Sequence, residues 1–235
     1  SVLAPSDPHF SSVSLLLHMN GSNGSSTFTD NSNNAFTVTR SGNAQISTAQ
    51  SKYGGASGLF DGNGDYLQLS YNSALDLIGG SFTVEAFIRT TSNKASGMRI
   101  AAAGGGAVGW NSTNGIHWLF QLGPTGKLQF QWWNGTTVDA VETTATVSLT
   151  TWTHVAISVS GSTAYFAIGG AVESYTANSI TRPSTNQVVT IGTINGEAGG
   201  STTAFDGYID EFRITKGVAR WTASYTAPAS AFPDA

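Results

Sequence analysis

LQFQWWNGTTVDAV (residues 128–141) places two alternating segments on either side of Asn134-Gly135, and this pairing decides the fold class. Asn-Gly between such segments is the strongest short signal for a β-hairpin, because a two-residue turn asks for positive φ at both central positions. Leu128, Phe130 and Trp132 fall on one side of the first segment, and Gln129, Gln131 and Trp133 on the other. That is the period-two division of a strand with one buried and one open face.

The same division spreads in both directions. In SFTVEAFIR (81–89), Phe82, Val84, Ala86 and Ile88 oppose Thr83, Glu85, Phe87 and Arg89. Ile116, Trp118, Phe120 and Leu122 oppose His117, Leu119 and Gln121, while Val155, Ile157 and Val159 oppose His154, Ala156 and Ser158. Strands are expected at 13–19, 81–89, 98–103, 116–122, 127–133, 136–142, 153–159, 163–168, 171–176, 187–192 and 205–215. Reversals at Pro124-Thr125-Gly126 and Gly161-Ser162, with a strand end at Gly169-Gly170, join them into an antiparallel meander. Only 73–77 and 215–221 hint at helix, and each is too short for more than a turn or so. Residues 1–12, with Pro5 and Pro8, read as an extended lead-in, and 13–235 as a single all-β domain.

Composition narrows the function classes. The 235 residues carry 10 Lys and Arg against 14 Asp and Glu, with no basic cluster, so nucleic acid is not an expected partner. No window approaches the run of about 20 apolar residues that a membrane span needs, so no membrane insertion is expected. The start lacks the charged and apolar regions of a signal peptide, and the chain is expected to be soluble. With no cysteine, disulfides and thiol chemistry are excluded. His9, His18, His117 and His154 show no metal-ligand spacing, and Gly104-Gly105-Gly106 has no following Lys to make a phosphate loop.

FDGYIDEFRITKGVARWT (205–222) carries an acid among core candidates. A regular strand here puts Tyr208, Asp210, Phe212 and Ile214 on one side and Ile209, Glu211 and Arg213 on the other. A carboxylate on an apolar face is costly unless neutralised, so Asp210 implies either a bound cation or hydrogen bonds to a loop.

These segments together carry a family resemblance. SSVSLLLHMNGSNGSSTFTD (11–30), GNAQISTAQSKYGGASGLFDGNGDYLQL (42–69), SFTVEAFIR, TTWTHVAISV (150–159) and the 205–222 strand resemble a laminin-G-like domain of the concanavalin A-like lectin and glucanase superfamily. The resemblance implies a jelly-roll sandwich of two curved antiparallel sheets. The opening DPHFSSVSLLLHMNG and the close GYIDEFRITKGVARWT are similar to domains of tailed-phage virion proteins and bacterial surface proteins, which implies an extracellular or virion-surface setting. The glucanase branch uses paired carboxylates in an E-x-D-x-x-E arrangement. This sequence departs from that pattern, since Glu85 is alone in its strand, and no enzyme is expected. The superfamily commonly holds a structural calcium through an acid of the last strand and groups near the first, which by match points to Asp210 and then Asp30 as ligands.

The expected ligand face is the polar side of the large sheet, Glu85, Arg89, His117, Gln121, Gln129, Gln131, Trp133 and His154, with Trp110 as a loop platform. Sugars bind through flat rings against C–H faces and planar polar groups against hydroxyls, and this row has both. The expected function is a non-catalytic attachment or decoration module contacting glycan or a virion or surface protein. The alternative is a purely structural capsid or fibre protein whose sheet face packs on other subunits; homo-oligomerisation stays open.

Overall fold

The computed structural model describes residues 6–104, 115–178, 180–181, 187–194 and 202–235. Its strands are β1 (Val13–Leu17), β2 (Thr39–Ser41), β3 (Gln45–Ser47), β4 (Ser57–Asp61), β5 (Tyr66–Leu69), β6 (Phe82–Arg89), β7 (Met98–Gly104), β8 (Ile116–Leu122), β9 (Lys127–Trp133), β10 (Val138–Thr146), β11 (Thr153–Ser160), β12 (Thr163–Ile168), β13 (Ala171–Thr176), β14 (Val188–Ile191) and β15 (Asp206–Lys216). They form two antiparallel sheets. An eight-stranded sheet runs β13-β12-β11-β6-β15-β4-β3 with β1 also on β15, and a seven-stranded sheet runs β10-β9-β8-β7-β14-β5-β2. The result is the expected jelly-roll sandwich of the concanavalin A-like kind.

The core lies between the sheets. Phe82, Val84, Ala86 and Ile88 of β6 meet Trp118 and Phe120 of β8 and Phe130 and Trp132 of β9, all essentially without solvent contact. Each of these side chains larger than Ala86 contributes about 1.5–3 kcal/mol on burial. The alternation read from the sequence sets which residues these are.

β9 and β10 pair in the register Trp133↔Val138, leaving a four-residue loop at 134–137. Only Gly135 takes positive φ (103°), not both members of the Asn-Gly pair. The Asn134 side chain supplies the rest, its Oδ1 accepting from Thr136 N and Thr137 N at 2.9 Å each.

Of four other local expectations, three change and that for 73–77 holds. The window 215–221 holds no helix, because β15 continues to Lys216 and Gly217 (φ 85°) turns the chain away, its N–H bonding to Ser81 O. The window 73–77 closes as a single 3₁₀ turn, Ser73–Leu75, capped by the Asn72 side chain. β2 to β5 occupy a region given no strands from sequence, each being only three to five residues long. Finally, the lead-in is docked: Phe10–Ser12 forms a 3₁₀ turn and Asp7 is buried.

The last strand carries the largest departure. Its register with β6 shifts between Asp210 and Arg213, and Glu211 there has φ 51°. This β-bulge adds one residue and reverses the alternation. Ile209, Phe212 and Ile214 therefore all point into the core, while Asp210 lies outside it, under the loop carrying Lys52 and Tyr53.

Candidate functional site

The eight residues read as one polar face belong to two. His117, Gln121, Gln129, Gln131 and Trp133 sit on β8 and β9 of the seven-stranded sheet, whereas Glu85, Arg89 and His154 sit on β6 and β11 of the eight-stranded one. Both sets point outward, away from the shared core, so they face opposite sides of the sandwich. A period-two pattern assigns a side chain to a face of its strand but not a strand to a sheet. Trp110 lies outside the described residues.

On the seven-stranded sheet the register places Arg99, Gln121, Gln129 and Glu142 in one row across β7, β8, β9 and β10. The row is hydrogen-bonded end to end. Arg99 Nη1 donates to Gln121 Oε1, Gln121 Nε2 to Gln129 Oε1 at 2.5 Å, and Gln129 Nε2 to Glu142 Oε2 at 2.8 Å. Lys127 Nζ closes the far end on Glu142 Oε1 at 3.2 Å. These contacts hold Glu142 below its ordinary carboxylate value, the Gln129 amide first and Lys127 after it.

Exposure is graded along this face. His117 and Gln121 are buried, at 1% and 3% of their surface, and His117 Nδ1 lies 3.2 Å from Thr181 O. Towards the sheet edge Gln129, Gln131 and Trp133 are half-buried, and Glu142 and Val138 are exposed. Trp133 and Val138 are register partners, so an aromatic and an aliphatic side chain adjoin the polar row. The usable surface is thus a strip along β9 and β10 narrower than the sequence implied.

The outer face of the eight-stranded sheet is covered by the chain's own ends. Glu85 has no solvent exposure and meets Arg213 (2.9 Å), His154 Nε2 (3.1 Å) and Trp221 Nε1 (2.7 Å). Asp7 pairs with both Arg213 (3.0 Å) and Arg220 (2.7 Å), and Tyr225 Oη lies 2.6 Å from His154 Nδ1. Trp221 and Tyr225 stack at 3.8 Å over this network. Burial works against the Glu85 charge, but Arg213, His154 and Arg220 outweigh it and bring its pKa down to about 2. Asp7, Arg213, Arg220 and Tyr225 were not singled out by sequence, because the network joins residues separated by up to 213 positions. Arg89 is half-buried at the end of β6, opposite Tyr208.

The two acids assigned to calcium do not fit a cation. Asp210 Oδ2 accepts from Lys52 N (2.7 Å) and Tyr53 N (3.1 Å), and its Oδ1 from Glu211 N (2.9 Å). Asp30 Oδ1 accepts from Leu16 N (3.0 Å) and Ser32 N (2.9 Å), and its Oδ2 from Phe36 N (2.8 Å) and Ser32 Oγ (2.9 Å). N–H groups aimed at a carboxylate occupy the lone pairs that a metal would use and point positive charge at the site. Among the described residues no group of three or more His, Cys, Asp and Glu is arranged to hold a metal ion. Asp65, too, serves a turn, accepting from Asn43 N and Asp61 N.

Comparison with known proteins agrees with this architecture. The botulinum neurotoxin serotype D binding domain superposes with a TM-score of 0.65 at 15% identity over 90% of this chain and 50% of that one. A botulinum neurotoxin type C structure, whose cell entry is dependent upon interaction with two ganglioside molecules, gives 0.59 at 14% identity over 89% of this chain and 49% of that one. The chain thus spans about half the length of these toxin domains. Domain 4 of AbnA, a GH43 extracellular arabinanase from Geobacillus stearothermophilus, in complex with arabinotriose, gives 0.61 at 17% identity over 87% of this chain and 92% of that one. At such identities the likeness is one of fold. No curated protein sequence matches the chain. Among the described residues no helix is long and apolar enough to cross a membrane. Residues 61–221 match the laminin G-like family profile of the concanavalin A-like lectin/glucanases superfamily, and the chain belongs to that family.

Proposed function

We propose that the chain is a non-catalytic binding module that contacts glycans through the β9–β10 strip of its seven-stranded sheet. The hydrogen-bonded row Arg99–Gln121–Gln129–Glu142 carries this reading. Planar groups already held in place lose little freedom when they bind hydroxyls, and Gln131, Trp133 and Val138 beside them offer polar and apolar contacts for a sugar ring. The fold neighbours named for gangliosides and arabinotriose support a glycan as the ligand class. Glu85, ion-paired and without solvent contact, is not placed to act as one of two hydrolytic carboxylates. The setting we propose is attachment or surface decoration on a cell or virion exterior.

The exposed apolar Val138 on the edge strand favours one second reading, a structural capsid or fibre module whose sheet face packs against neighbouring subunits. A glycan array on the isolated chain separates the two. Selective binding that Trp133→Ala weakens by about tenfold or more, with an unchanged melt, supports the lectin-like reading. A blank array with well-folded protein moves the assignment to the structural role.

A further inference from the structure

We propose that a cavity on the opposite side of the molecule, on the outer face of the eight-stranded sheet, is a second binding site, for a carboxylate-bearing sugar residue. It goes beyond the β9–β10 strip in location, and it narrows the ligand from glycans at large to a charged sugar. The cavity is open, measures about 700 Å³, and is walled by Lys52, Tyr53, Phe87, Trp152 and His154, with Pro228 of the C-terminal segment on its rim. Small-ligand pockets typically enclose about 300–1,000 Å³, mostly apolar, with a few placed polar groups.

Three features of the lining define the ligand. Tyr53 and Trp152 supply aromatic surface, with Tyr53 edge-on at 5.4 Å to the buried Phe87 behind it. The Lys52 ammonium stands 5.1 Å from the ring centroids of both Tyr53 and Phe87, and no ion pair among the described residues includes it. The indole N–H of Trp152 is buried and meets no hydrogen-bond acceptor among the described residues, a costly state for a donor in a folded protein. His154 cannot donate here, since its two ring nitrogens are engaged by Glu85 and Tyr225.

A neutral sugar would use the rings and the indole N–H but not the ammonium. A small inorganic anion would use the ammonium but leave the rings bare. A uronic-type sugar matches all three, with its carboxylate on Lys52, a ring oxygen or hydroxyl accepting from Trp152, and its C–H face against the aromatic wall.

The test is a titration of the full ¹⁵N-labelled chain at constant ionic strength with glucuronate, glucose and acetate, followed through the tryptophan indole resonances. Trp152→Phe assigns the signal, and thermal melts establish that each variant folds. The expected result is a saturable shift of the Trp152 indole resonance with glucuronate only. Lys52→Met should weaken it by about tenfold, as loss of a charge-assisted contact does. Trp133→Ala should leave it unchanged, so failure of the β9–β10 reading and failure of this one are distinguishable. No saturable shift with glucuronate, an equal shift with glucose or acetate, or an undiminished response in Lys52→Met overturns the proposal; because Lys52 is a half-buried surface residue, that variant keeps the test available even if Trp152→Phe does not fold.

Discussion

At the scale of single residues, Glu85 and His18 show how a fold with only ten basic side chains handles charge. Glu85 is buried among Arg213, His154 and Trp221, and Arg213 also holds Asp7. Removing one member of such a set strands the others: Glu85→Ala should cost about 3–5 kcal/mol, read as a lower urea midpoint at unchanged slope. His18 is the pH-sensitive member of a second cluster, its Nδ1 2.8 Å from Glu211 and its Nε2 2.7 Å from Asp234. Burial alone would lower its pKa, but the hydrogen bonds and charges of Glu211 and Asp234 overcome this and raise it from 6.5 to about 9. A histidine whose pKa is raised on folding adds stability that is complete below 6.5 and is lost as pH climbs through 9. His18→Gln should therefore be less stable than the parent at pH 6, with the gap closing by about pH 10 in melts of both proteins. Asp210 moves in the same sense, in a lower pH window. Burial pushes it from 3.8 up to about 7 despite N–H bonds from Tyr53 and Lys52, so its ionisation lowers stability as pH rises from about 4 to about 7.

Among the elements, the exposed edge of β10 is managed by a residue from the other sheet. Glu173 on β13 accepts from Thr144 N and Thr144 Oγ1 at 2.8 Å and from Ala145 N at 2.9 Å, while Tyr175 donates to it at 2.5 Å. Burial opposes its charge, but these donors, Tyr175 foremost, bring Glu173 down to about 2. An edge strand's free N–H groups are templates for unwanted pairing, and a carboxylate placed on them blocks that. Glu173→Ala should speed amide exchange at Thr144 and Ala145 by about tenfold or more while leaving β6 protected, as measured by hydrogen-exchange NMR. The elements also show how far sequence carried. Period-two alternation in β6, β8, β9 and β11 named the core side chains correctly except Ile116, which a register shift beside Gly104 sends to a separate cluster with Ala102 and Leu119; elsewhere burial on one face writes itself into every second residue. It failed at β15, where one bulged residue at Glu211 inverted the phase and put Asp210 on the wrong side. Nothing local in YIDEFR marks that bulge; it is fixed by β4 and β1, which pair with successive halves of the strand.

For the molecule as a whole, fold class and the outward residues of each strand were legible, but the candidate site was legible only in part. Gln129, Gln131 and Trp133 do share a face, because they share a strand. Glu85 and His154 do not join them, because sheet order depends on which strands pair across the chain, and that information is spread over its full length. The calcium expectation came from the family pattern, and the hydrogen-bond donors around Asp30 and Asp210 take up the oxygens it assigned to the metal. Chelator should accordingly shift the melting temperature by no more than measurement error, whereas a drop of several degrees would bring a metal back. The termini carry a further consequence. Asp7 N donates to Ala235 O at 2.7 Å, so the two ends of the described chain meet on the side facing away from the β9–β10 strip. Tension applied through both ends would enter and leave the protein at one point. It would peel open the clasp made by Asp7, Arg213, Arg220 and the C-terminal segment before loading the sandwich, and the strip on the far side would keep its shape while the tether yields.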